Sequence, residues 1–243
     1  MSPYFLPAGE DVLSIIRTLG LQNAALELTK SFKGIVVQQD VDILEVNPED
    51  ADAAFRVTDI EMCAALEGDI YLHSRLFPKP VMARLKSLNI SKGMFVLSGF
   101  TYIDSEWKKR QHERVQPKHP TYVTLHWKGQ AVRASMENIS VDGMGVLAYK
   151  LTERRMEIQP GANIQLDFQL SPDHKYTAVK GTIVHSKTRG RFLTMIGVRL
   201  FLKAKEVRSL ERFIARRKQE ILVELNQAYW EMSRPRGVES LYF

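Results

Sequence analysis

From Ile164 to Leu170 the chain alternates without a slip: Ile164, Leu166, Phe168 and Leu170 are apolar, and Gln165, Asp167 and Gln169 between them are polar. Successive side chains of a strand point to opposite faces, so this stretch specifies a strand with one buried and one wet face. Similar runs occupy residues 121–127, 130–139, 176–186 and 192–201, spaced by Gly-, Pro- or Asp-containing turns such as QPGAN and SPDHK. Five or six such strands predict a closed antiparallel barrel.

A second set of strands precedes it. Alternation recurs at Val41 and Ile43, Phe55 and Val57, Ile70 and Leu72, Val81 to Leu85, and Met94 and Val96, with polar turns such as NPED between. These predict a small antiparallel sheet or barrel. Residues 9–31 mix helix formers with apolar residues at three- and four-residue steps, which predicts one or two short helices broken near Gly20. From Lys205 to Met232 the period is helical, with Val207, Leu210, Ile214, Ile221, Leu225, Ala228 and Met232 on one stripe that Arg217 interrupts. Such a helix packs on the barrel, and its stripe also suits pairing with a second copy through residues 205–232.

Between the two strand sets runs DSEWKKRQHERVQPKHP, residues 104–120, almost without apolar residues and ending in two prolines, the composition of an interdomain linker. A chain of 243 residues is also longer than the usual single domain. The expected fold is therefore mainly β: two small antiparallel β-barrel domains, residues 1–104 with leading helices and residues 105–243 with the basic linker and a C-terminal α-helix.

Charge divides along the same line. Residues 1–104 hold 9 Lys+Arg against 14 Asp+Glu, a net of −5, which leaves 25 against 14 and a net of +11 for residues 105–243. The second half should attract anions: nucleic acid, an acidic surface or protein, or a phosphorylated small molecule. No apolar run approaches the roughly 20 residues of a membrane span, and the N-terminus lacks a basic start followed by an apolar core, so a cytoplasmic location is expected. Cys63 is the single cysteine, which excludes an internal disulfide, and the scattered histidines suggest no metal site.

Two short motifs carry the chemistry. Arg110-Gln-His-Glu-Arg114 is an R-x-x-x-R pattern late in the linker, preceded by Lys108 and Lys109; Asn138-Ile-Ser140-Val-Asp-Gly143 is an N-x-S-x-x-G pattern where a predicted strand runs into a turn. One precedes the first barrel strand and the other ends the second. In this order and placement the pair resembles the PilZ family, and Ile196-Gly-Val-Arg-Leu-Phe201 is similar to that family's closing strand. The resemblance covers about residues 106–202 and implies a receptor for cyclic di-GMP, with no further cofactor. It assigns ligand contacts to Lys109, Arg110, Arg114, Asn138, Ser140 and Gly143, with Lys109 influencing whether one or two messenger molecules bind. The first position of the second motif is Asn rather than the commoner Asp.

The residue types suit such a ligand. Arginine's planar fork makes paired hydrogen bonds to phosphate or to guanine O6 and N7, and its flat face stacks on a base. Asn138 can meet a guanine edge, Ser140 supplies a small hydroxyl, and Gly143 permits a turn with close backbone approach. The N-terminal region is similar, by strand pattern and position alone, to the small β-domain of flagellar brake (YcgR-like) proteins. That arrangement implies that messenger binding changes the domain arrangement to regulate motility, biofilm or exopolysaccharide output, with a flagellar motor or export component as partner. A DNA-binding transcription regulator, with or without messenger, is the alternative, for which the +11 half and Arg216-Arg217-Lys218 are suited. No G-x-S-x-G, phosphate-loop, G-x-G-x-x-G or H-E-x-x-H pattern is present, so the chain is not expected to be an enzyme.

Overall fold

The computed structural model describes residues 8–104, 112–149, 159–189 and 192–234. The chain divides into two compact units, one comprising residues 1–32, 36–110 and 222–243, the other residues 33–35 and 111–221.

In the first unit a helix, α1 (Ala8–Leu21), precedes β1 (Glu27–Phe32), β2 (Ile35–Asn47), β3 (Asp52–Val57), β4 (Asp69–His73), β5 (Val81–Asn89) and β6 (Met94–Tyr102). The strands close a barrel in the order β1-β2-β3-β6-β5-β4. Val12, Ile16 and Leu19, at helical spacing on α1, join Phe55, Ile70, Leu72 and Leu97 in its core. Two sequence expectations need correction here. Helix does not continue to residue 31: α1 stops at Leu21, and Leu26 and Leu28, two apart and fully buried, begin the period of a strand whose Leu28 pairs with Leu72. In β6 the inward residues are Phe95 and Leu97 rather than Met94 and Val96, so the run is read one residue out of phase from sequence alone.

The second unit contains β7 (Tyr122–Trp127), β8 (Gln130–Ile139), β9 (Gly143–Tyr149), β10 (Asn163–Ser171), β11 (His174–Arg189) and β12 (Leu193–Phe201), closed in the order β10-β11-β12-β9-β8-β7. Strand β9 is one that the alternation in the sequence does not predict. Ile164, Leu166 and Phe168 point inward as their alternation requires, and Phe168 stacks on Tyr176 with ring centroids 4.7 Å apart.

A long helix, α2 (Ala204–Ser233), follows, its start fixed by the Lys203 N–H donating to Glu206 Oε2 at 2.7 Å. Leu210, Phe213, Ile214 and Ile221 of α2 are buried, and Leu225 belongs to the core of the first unit. The stripe that suggested a second copy is thus largely buried within its own chain, while Met232 at its end is exposed. Among the described residues no helix is long and apolar enough to cross a membrane, and no group of three or more His, Cys, Asp and Glu could hold a metal ion.

Candidate functional site

The N-x-S-x-x-G segment is the connection from β8 to β9. Ile139 and Met144 form the last strand pair, and beyond it the Ser140 N–H donates to Gly143 O at 2.7 Å, leaving Val141 and Asp142 as the tip. The Ser140 hydroxyl lies 2.6 Å from Asp142 Oδ1 and 3.0 Å from Gly143 O; its one proton serves either acceptor. Ser140 is 0 % exposed, so its hydroxyl is committed inside the loop. The Leu200 N–H donates to Asp142 O at 2.9 Å, fastening the tip to the end of β12. Gly143 is required by clearance: a Cβ there would lie 2.6 Å from Val198 O.

Asn138 stands one position before the end of β8, opposite Gly145, just after an irregularity in register between Met136 and Asn138. Such bulges re-aim a side chain. Its Oδ1 is buried without a hydrogen-bond partner among the described residues. An unmet buried acceptor costs about 1–3 kcal/mol, so a donor brought to this place would be favoured.

Beyond Met136, whose N–H donates to Thr121 O at 2.7 Å, β8 pairs with a different segment. Val115 and Ile139 exchange both backbone hydrogen bonds, at 2.9 and 3.0 Å, in an isolated antiparallel bridge. The bridge sets the end of the basic arm beside the motif, with Arg114 next to Val115, and Asn138 and Ser140 flanking Ile139. Three further contacts hold the arm. Arg217 of α2, 3 % exposed, donates from Nε to Gln116 O at 2.9 Å and from its NH1 to Glu220 Oε2 at 3.2 Å. Lys218 Nζ donates to Glu113 Oε1 at 2.5 Å, and the Gln116 N–H donates to Lys33 O at 2.8 Å.

Of the six residues proposed from sequence, Arg114, Asn138, Ser140 and Gly143 are brought together by this bridge and loop. Lys109 and Arg110 lie outside the described residues. Sequence reasoning missed Asp142 as the partner of Ser140, Val115 as the anchor of the arm, and the role of Arg217, read there as an interruption of an apolar stripe and as part of a basic cluster suited to DNA, whereas it is buried and holds Gln116 O. An open cleft of about 690 Å³ lies elsewhere on the barrel, lined by Trp127, Lys128, Gln165, Lys180 and Phe201 among others, and includes none of the four described motif residues. Its size alone gives it no claim over the motif.

Comparison with known proteins places a PilZ domain at residues 108–216. Among solved structures, the chain is similar to YcgR from Escherichia coli in complex with c-di-GMP, at 16% identity over 90% of this chain and 94% of that one, with a TM-score of 0.45. It is also similar to the K. pneumonia MrkH–c-di-GMP complex, at 12% identity over 89% and 95% of the two chains and a TM-score of 0.45. The Bacillus subtilis inhibitor of motility MotI/DgrA matches at 14% identity over 81% and 97%, with a TM-score of 0.40. Identities this low say nothing about function. No curated protein sequence matches the chain.

Proposed function

Since residues 108–216 are a PilZ domain, we propose that the protein is a receptor for cyclic di-GMP that binds it between the arginine arm and the Asn138–Gly143 loop. The observation that carries this reading is the Val115–Ile139 bridge, which sets Arg114 beside a loop whose Asn138 has an unmet buried acceptor. In this reading Arg110 and Arg114 supply charge-assisted, forked hydrogen bonds to phosphates or guanine edges and flat faces for stacking. Asn138 reads a guanine edge, Gly143 keeps the loop close to β12, and Ser140 with Asp142 fixes the loop's shape. Lys109 adds a cation and bears on ligand number.

For the output, we propose a reading that the two-unit organisation and the opposed charge of the halves support. Messenger binding neutralises part of the basic arm and changes the arrangement of the domains, regulating motility, biofilm or exopolysaccharide output in the cytoplasm through a protein partner.

Calorimetric titration with cyclic di-GMP tests the reading. Saturable binding, lost in Arg110→Ala and Arg114→Ala, is expected; equal binding by these variants defeats it. If the protein is instead a DNA-binding regulator that needs no messenger, duplex DNA binds without nucleotide and weakens steeply with salt.

A further inference from the structure

Four residues form one row across adjacent strands of the second barrel. Asn138 of β8 stands opposite Gly145 of β9, Gly145 opposite Gly197 of β12, and Gly197 opposite His185 of β11. Each glycine lies between two buried residues, Met144 and Val146 in one case and Ile196 and Val198 in the other, so alternation puts both glycines on the outer face. The middle of the row is therefore bare backbone, flanked by a side chain at each end.

Both flanking side chains lean over that floor. A Cβ on Gly145 would lie 3.1, 3.2 and 3.4 Å from Oδ1, Nδ2 and Cγ of Asn138, near-equal distances that place the amide face-on to the glycine. A Cβ on Gly197 would lie only 2.1, 2.3 and 2.9 Å from Cε1, Nδ1 and Nε2 of His185. The imidazole thus rests on the backbone where any other residue would project, while His185 itself is exposed. Arg199, opposite Gly143, and Lys187, opposite Met195, are exposed on strands of the same row and add positive charge near it.

An exposed planar ring packed against backbone is a stacking platform that loses little freedom when a second ring is laid on it. Resting on the cyclic di-GMP reading above, we propose that His185 is a further ligand-contacting residue, whose free imidazole face stacks on a guanine base while the Asn138 amide bounds the other end of the same slot. Gly197 acts through His185 by leaving the ring room over its backbone, and Gly145 does the same for the Asn138 amide. Neither glycine nor His185 belongs to the two motifs, and only the strand register brings them into one row.

The test compares the unaltered protein with His185→Ala and His185→Phe by calorimetry with cyclic di-GMP, using urea midpoints to confirm folding. Removing an aromatic platform under one base should weaken binding about 5- to 100-fold, and Phe should restore most of it because the stack needs a ring rather than a nitrogen. A His185→Trp variant supplies a readout that a merely structural role does not move: its added indole emission should change, saturably, as nucleotide is titrated. Unchanged affinity in His185→Ala overturns the proposal and leaves the receptor reading standing. A His185→Phe protein as weak as His185→Ala overturns stacking as the role. No binding by the unaltered protein overturns both.

Discussion

Val115 and Ile139 exchange two backbone hydrogen bonds, and through that exchange the charged arm becomes an extra edge to the end of β8. That backbone pairing uses no side chain of the arm, so it does not require the Arg114 guanidinium. The arm can thus be tested separately from its charges.

Arg217→Ala should loosen the arm without removing any arginine of its motif. The guanidinium is almost fully buried and holds Gln116 O and Glu220, and removing a charged donor of this kind costs about 1–3 kcal/mol. The expected result is a lower urea midpoint together with weaker nucleotide binding. An unchanged midpoint would show that these contacts contribute nothing.

Gly143→Ala places a methyl group 2.6 Å from Val198 O, a backbone atom that cannot rotate away. The loop must shift, at about 1–3 kcal/mol. Denaturation should show the loss of stability, and cyclic di-GMP affinity should fall with it.

Ser140→Ala acts differently. Ser140 is fully buried with its hydroxyl on Asp142 and Gly143, so the variant removes an internal hydrogen bond and costs about 1 kcal/mol of stability, with only an indirect effect on affinity. A loss of binding as large as that of Arg114→Ala, without loss of stability, would instead make the hydroxyl a ligand contact.

Much of the architecture was legible in the sequence, and the exceptions have physical causes. Strand β10 alternates because one face meets the core and the other water. Strand β9 escaped notice because Gly143 and Gly145, on its outer side, supply no polar residues to alternate with Met144, Val146 and Ala148. Clearance is what those glycines supply: a Cβ on Gly143 would meet Val198 O, and one on Gly145 would crowd the Asn138 amide. Strand β1 reads as helix in the sequence because Leu26 and Leu28 continue an apolar stretch and only pairing with β4 decides their period. The motif residues were found by their order along the chain. The Val115–Ile139 bridge, the His185–Gly197 contact and the burial of Arg217 could not be found so, because each depends on register between segments distant in sequence.

Cys63 offers a probe of the first barrel. Its thiol is fully buried and burial, with a smaller contribution from Asp59, pushes it up to about 11. Since the thiolate is the reactive form, alkylation at about pH 8 should be slow in the native protein and fast once denaturant opens this unit. Rapid stoichiometric labelling without denaturant would contradict the packing described.

Acid should find Asp167. The Ala178 N–H, donating at 2.7 Å, and the His126 ring hold its carboxyl below the usual range. A depressed carboxylate contributes stability that is present above its unfolded value of about 3.9 and is lost as pH falls through the folded value. Asp167→Asn should therefore reduce stability near neutrality and flatten the acid limb of urea midpoints. The side chain is 41% exposed, so the effect is small compared with that of Gly143→Ala. Parallel acid limbs in the two proteins would exclude the contribution.

The most direct measurement is a crystal structure of the protein grown with cyclic di-GMP. The account predicts the nucleotide on the outer face of β8, β9 and β12, with the Arg114 guanidinium and the Asn138 amide both within hydrogen-bond distance of the same molecule. Nucleotide seated elsewhere, in the Trp127–Phe201 cleft for example, with Arg114 turned away from it, would contradict the account.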